Sequence, residues 1–190
     1  MKLAMKPEEI ALFKGLLACS RRYVEFGAGG STVLAASLVR EAVTSVDSSG
    51  EWLERVRAAC TEQKTPVSPT LIHVDIGDLK EWGYPKDSRR KPDWPRYHSW
   101  IRDSRDAALA DLFLVDGRFR VASFLQVFLQ GNPDSLIAIH DFANRPKYHV
   151  IHEFGREVAR AENFSVFLRR PGADRERALA VLEAHAAVPD

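Results

Sequence analysis

The stretch RYVEFGAGGSTVLAA, from Arg22 to Ala36, constrains this chain more than any other: an apolar strand pattern bearing one acid, a glycine-rich turn, then a helix pattern with no gap. Gly27, Gly29 and Gly30 permit positive φ and remove the Cβ atoms that would keep a ligand away from the main chain. Ser31 and Thr32 open the helix, whose first amides are available to a carboxylate or phosphate. Ala28 completes the turn.

Strand and helix patterns then alternate. YVEF reads as a first strand, STVLAASLVR as a helix, AVTSVD as a second strand and EWLERVRAAC as a helix with Trp52, Val56 and Cys60 at helical spacing. TLIHVDI, DLFLVDG and SLIAIHDF supply third, fourth and fifth strands, with the helix RVASFLQVFLQ between the last two. An earlier helix begins at Pro7 with Glu8 and Glu9, carries Leu12, Phe13, Leu16 and Leu17 on one stripe, and ends before Arg21. LFLV and LIAI are apolar on both faces, as central strands of a parallel sheet covered by helices must be. The fold class is therefore α/β with right-handed crossovers. Beyond Phe142 a helix around Pro146 to Phe154 and a strand at NFSVFLRR are expected, while ALAVLEA fits either a closing helix or a strand.

One connection breaks the regularity. From about residue 80 to 105 the chain reads KEWGYPKDSRRKPDWPRYHSWIRDSR, with three of the four tryptophans (Trp82, Trp94, Trp100), Tyr84 and Tyr97, and the basic knot Arg89, Arg90 and Lys91. Connections this long are lids, binding loops or excursions. Either it covers a substrate, or its aromatics fold back on the domain. Its end, from about Ser99 to Ala110, is expected to be helical.

In open α/β sheets the ligand lies at the carboxyl ends of the strands. Those ends carry Glu25, Asp47, Asp78, Asp116, His140 and Asp141. Any one of these can be a helix cap, but an acid or histidine at every strand end points to a site. Asp47, about twenty residues after the glycines, is placed to accept hydrogen bonds from ribose hydroxyls. A dinucleotide fingerprint needs its third glycine where Thr32 stands, which counts against a nicotinamide-dependent oxidoreductase.

The acid-x-Gly-x-Gly pattern of Glu25, Gly27 and Gly29 resembles motif I of class I S-adenosylmethionine-dependent methyltransferases, and the resemblance runs from about Arg22 to Arg169. It implies a Rossmann-like, doubly wound, mostly parallel seven-stranded sheet with helices on both faces and the last strand antiparallel, EVARAENFSVFLR forming the terminal hairpin. It implies S-adenosylmethionine as cofactor, held by Glu25, Gly27, Ala28, Gly29, Gly30 and Ser31, by Asp47 and Ser48 at the ribose, and by Asp78 at the adenine, with Asp75 competing for that place. Asp116, His140 and Asp141 match the positions facing the methyl group. Methyl transfer from a sulfonium is an in-line displacement in which the protein chiefly aligns the partners. A base is needed to take the acceptor's proton, and His140, whose ordinary pKa lies nearest neutrality, suits the task if it points into the cleft. No metal is expected: Asp116 and Asp141 would hold a divalent cation if one were used, but Arg118 and Arg120 make a poor cation cage. Arg118, Arg120 and Arg145 suit an anionic group, or else partner the same aspartates. Tyr148 is expected to line the acceptor pocket. The activity implied is methylation of an unidentified small molecule, at oxygen, the molecule being anionic or sugar-containing. The alternative is a degenerate relative that serves as an interaction module.

A chain of 190 residues, 45% hydrophobic, suits a single domain. A net charge of +1 and the lack of an Asn/Asp-Pro-Pro-aromatic signature argue against nucleic acid as partner. Cys19 and Cys60 have no metal-like spacing and suit a reducing compartment, and no apolar run is long enough for a membrane span, so a cytoplasmic location is expected. The sequence carries no signal for an oligomeric state.

Overall fold

The computed structural model describes residues 1–190. Seven strands form one sheet: β1 (Arg22–Phe26), β2 (Ala42–Asp47), β3 (Thr70–His73), β4 (Leu112–Val115), β5 (Leu136–Ile139), β6 (Gly155–Ala161) and β7 (Phe164–Arg169). Their order is β3-β2-β1-β4-β5-β7-β6. β1 to β5 are mutually parallel, and β7 runs antiparallel to both of its neighbours, β5 and β6. This is the Rossmann-like doubly wound sheet that the resemblance implies, with its antiparallel last strand.

The helices are α1 (Pro7–Cys19), α2 (Gly30–Leu38), α3 (Gly50–Gln63), α4 (Arg96–Ser99), α5 (Arg105–Ala108), α6 (Arg120–Gln130) and α7 (Arg175–His185). α1 starts at Pro7 because proline lacks only an amide that has no helical partner there, and Glu9 turns back to accept the Lys6 amide at 2.7 Å. At the other end of the chain the Asp174 carboxylate accepts the amides of Glu176 and Arg177. That cap decides ALAVLEA for helix over strand.

Apolar side chains fill both faces of the sheet. Phe13, Leu17, Tyr23, Val33, Ala36, Val56 and Phe164 pack on one side, beneath α1, α2 and α3. Phe26, Trp94, Tyr97, Phe113, Phe124 and Phe167 pack on the other, beneath α6 and α7. The 80–105 connection belongs to this second core. Trp94 and Tyr97 are buried against Phe119, with ring centroids 5.9 and 5.5 Å away, so its aromatics fold back on the sheet. Trp82, 80% exposed, and the polar run from Lys86 to Pro92 stay in solvent.

Two elements differ from the sequence reading. β3 stops at His73 instead of Ile76: its neighbour β2 ends at Asp47, the partner of His73, and beyond it the Ile76 carbonyl accepts the Trp94 indole N–H at 3.0 Å. The helix expected from Pro146 is a 3-10 helix, Pro146–Glu153, whose Phe154 amide reaches only as far back as Ile151. No helix is long and apolar enough to cross a membrane.

Candidate active site

The carboxyl ends of the parallel strands converge on two adjoining clusters. The first is the glycine-rich turn. Gly27 has φ +106°, and a Cβ there would meet Gly117 Cα at 2.6 Å, so the turn after β1 lies directly on the turn after β4. The amides of the turn are taken by the protein: Gly27 donates to the Val46 carbonyl at 2.8 Å, Ala28 to Asp47 Oδ2 at 3.0 Å and Gly29 to Thr32 Oγ1 at 2.9 Å. The Ala28 carbonyl accepts the indole N–H of Trp52 at 2.7 Å. The backbone of Lys2 crosses the start of α2, 2.7 Å from where a Gly30 Cβ would stand.

Glu25 lies beneath this turn instead of at its rim. Its carboxylate, fully buried, accepts from Tyr23 at 2.6 Å, from Ser45 at 2.8 Å and from the Thr32 hydroxyl. Burial pushes its pKa up to about 7, against the lowering effect of those hydrogen bonds and of Ser31. The chain Gly29 amide, Thr32 hydroxyl, Glu25 carboxylate therefore sets the shape of the turn. Glu25 and Asp47 do not meet over a common ligand space. Asp47 does stand at the rim, with Oδ1 accepting the Ser49 amide at 2.9 Å, and burial raises its pKa. Ser48 is buried beside it, under Gly83 of the long connection.

Asp78 sits apart. It is exposed, 3.4 Å from Arg89, and with Asp75, Gly77, Asp87 and Arg90 it lines an open groove of about 330 Å³. A second cavity of about 550 Å³ lies between the end of β3 and Arg96, Ser99, Trp100 and Asp103. Neither is lined by the glycine-rich turn.

The second cluster joins the ends of β4 and β5. Arg120, almost fully buried, donates to the Gly117 and Asp116 carbonyls at 3.0 Å each and to the His140 carbonyl, and pairs with Asp116 Oδ1 at 3.1 Å and Asp141 Oδ2 at 3.4 Å. Arg145 pairs with Asp141 Oδ2 at 2.8 Å and reaches the Tyr148 hydroxyl at 3.3 Å. His140 lies between carboxylates, with Nδ1 3.1 Å from Asp116 Oδ1 and Nε2 3.3 Å from Glu9 Oε2. Burial lowers the imidazolium pKa, but Asp116, Asp141 and Glu9 outweigh it and raise the value above the ordinary one. Burial likewise raises Asp116, and the charges of Arg120, His140 and Arg118 overcome it to leave a lowered pKa. His140 does not point into an open cleft, as the base role expected of it requires: both ring nitrogens face acids, and those acids raise its pKa. Asp116 Oδ2, which has no hydrogen-bond partner, is the open acceptor.

Asp116, His140 and Asp141 offer ligand atoms within 4.8 Å of one another. Arg120 already supplies the positive charge at that point, so the donor set suits a guanidinium better than a hard cation. Tyr148 is fully buried, a packed ring beside Arg120, Arg145 and Lys147 and not an open pocket wall.

Four residues at the site escaped the sequence reading. Glu9 carried a signal, being an acid on the α1 stripe four residues before buried Phe13. Tyr97 and Tyr84 were visible only as aromatics in a polar connection. Tyr97 places its hydroxyl on Gly117, and Tyr84 lies 4.0 Å beneath the Arg118 guanidinium. Asp190 carried no signal at all. Its carboxylate accepts the Arg120 amide and its carbonyl accepts Arg118 Nη1, both at 3.1 Å.

The strand order with β7 antiparallel between β5 and β6, and a glycine-rich turn at the β1 end, define a class I S-adenosylmethionine methyltransferase-like fold. Among solved structures, a methyltransferase-like protein from Silicibacter pomeroyi is similar over 99% of this chain and 98% of its own, at 26% identity and a TM-score of 0.90. The O-methyltransferase TomG from Streptomyces achromogenes, in complex with SAM, shares the fold over 87% of this chain and 79% of its own, at 14% identity and a TM-score of 0.54. An rRNA methylase from Streptococcus thermophilus does so over 89% and 99%, at 13% identity and a TM-score of 0.55. No protein-family model matches the chain, and no curated protein does. One fold thus serves dissimilar acceptors, and the acceptor must be argued from the site.

Proposed function

We propose that this protein is an S-adenosylmethionine-dependent methyltransferase acting on a small molecule, at oxygen. The observation that carries the reading is the hydrogen bond from the Ala28 amide to Asp47, which ties the acid at the end of β2 to the glycine-rich turn after β1. Each Asp47 oxygen accepts one backbone amide and retains a second lone pair, as an acid facing two ribose hydroxyls requires. Gly29 leaves space as well: a Cβ there would meet nothing nearer than Trp52 Nε1 at 3.9 Å. When bound, the cofactor supplies an electrophilic methyl group. Asp116 Oδ2 accepts a hydrogen bond from the acceptor hydroxyl and takes its proton, while Arg120 holds Asp116 and Asp141 in fixed orientation. Two unbridged cysteines and the near-neutral charge fit a cytoplasmic enzyme of small molecules.

A second reading, an interaction module without catalysis, is favoured by Tyr97, whose hydroxyl occupies the space over Gly117 between the ends of β1 and β4. On the first reading α4 must shift to admit the cofactor. Calorimetric titration with S-adenosylhomocysteine separates the two. Binding by the wild type, lost in Asp47→Ala, supports the enzyme. Binding that emerges only in Tyr97→Ala supports the module.

A further inference from the structure

We infer that the acceptor carries a carboxylate, which docks between Arg118 and the N-terminus of α6, a place that Asp190 fills in this structure.

Arg118 is only 7% exposed, yet none of its nitrogens bonds a strand-end aspartate. Its guanidinium lies over Tyr84, 4.0 Å from the ring centroid, Nη1 donates to the Asp190 carbonyl, and Nε is buried with no partner. Leaving such a donor unpaired in the interior is unfavourable, and a carboxylate gripping the guanidinium with both oxygens would satisfy it. Asp190 itself is 8% exposed and directs Oδ1 to the Arg120 amide, one of the free donors at the first turn of an 11-residue helix. The segment after α7 thus inserts an acid into a socket made by an arginine and a helix N-terminus.

The socket adjoins the chemistry. The Arg120 whose amide holds Asp190 is the residue whose guanidinium holds Asp116 and Asp141. A molecule anchored there by a carboxylate presents a hydroxyl a few bonds away to Asp116 Oδ2. With Asp116, Asp141 and Glu9 close by, a singly charged planar anion fits better than a doubly charged phosphate, because each added negative charge is repelled by the same acids. The inference depends on the methyltransferase reading only in naming the bound molecule the acceptor.

The test titrates acetate and inorganic phosphate into the wild-type protein, Asp190→Ala, and Asp190→Ala combined with Arg118→Lys. Removing the Asp190 carboxylate from the Arg120 amide should tighten acetate binding about tenfold over wild type, and the lysine, which keeps the charge but loses the fork, should abolish that gain. Equal acetate affinity in wild type and Asp190→Ala overturns the inference. So does phosphate binding in preference to acetate, or a gain that survives Arg118→Lys. Tyr84→Ala, which removes the half-buried ring under the guanidinium without touching the helix, should also weaken acetate binding in the Asp190→Ala background. S-adenosylhomocysteine titrated into the same samples reports the cofactor site separately, so a failure there leaves the carboxylate result standing, and the reverse.

Discussion

The hydroxyl of Tyr97, from α4, rests on Cα of Gly117 at the end of β4, so the two positions are locked to each other's size. Because Gly117 also touches Gly27, 2.9 Å from where its Cβ would stand, one side chain on either glycine would force apart the turns on which the site is built. Gly117→Ala should therefore cost about 2–4 kcal/mol, as overpacking against backbone does. Urea unfolding checks it. A cost within about 0.5 kcal/mol of zero would show that the turns can part freely.

Glu25 makes stability fall with rising pH. Its folded pKa of about 7 exceeds the ordinary 4.5, so the folded state holds its proton more tightly than the unfolded chain. The resulting stabilisation is complete below 4.5 and is lost as pH climbs to about 7, a change of about 3 kcal/mol. Glu25→Gln should flatten the melting temperature across that window. A variant with the wild-type slope would assign the dependence elsewhere.

His140 acts at higher pH with the same sign. Its raised pKa, set by Asp116, Asp141 and Glu9, contributes stability that is full below 6.5 and disappears as pH rises through the folded value. Ring proton chemical shifts followed by NMR should give a midpoint above 6.5. Glu9→Gln should lower that midpoint. A His140 titrating at or below 6.5 would mean that the ring is not held as a cation.

Asp47→Ala should weaken S-adenosylhomocysteine binding at least tenfold, because it removes both the ribose acceptor and the partner of the Ala28 amide. Calorimetry reads this directly, with the melting temperature as a control for folding. An unchanged affinity would exclude Asp47 from the cofactor site.

Trp82→Gly should stabilise the fold by about 1 kcal/mol despite the loss of a large ring. Trp82 holds φ +63°, which side chains disfavour, and its indole is mostly in water. Denaturant unfolding decides the sign, and a loss of stability would reveal an unseen role for the indole at the tip.

Sequence alone was enough for most strands and helices, because each is a local pattern: LFLV reads as a central strand and GAGG as a turn into a helix, whereas the seven-stranded order with its antiparallel last strand followed from the family resemblance. It also placed Asp47, Asp116 and Asp141 at strand ends, since in a parallel sheet the end of an apolar run is the end of a strand. What it could not decide is where side chains point once neighbours from distant positions arrive. Glu25 was turned downward by Tyr23, Ser45 and Thr32, and His140 was fixed by Glu9, 131 positions earlier in the chain. The aromatics of the long connection settled into the core because the second sheet face needed covering, and Asp190 reached Arg118 across 72 positions. Hydrophobic period is written residue by residue, whereas charge pairing and burial depend on which elements the chain brings together, and that exists only after it has folded.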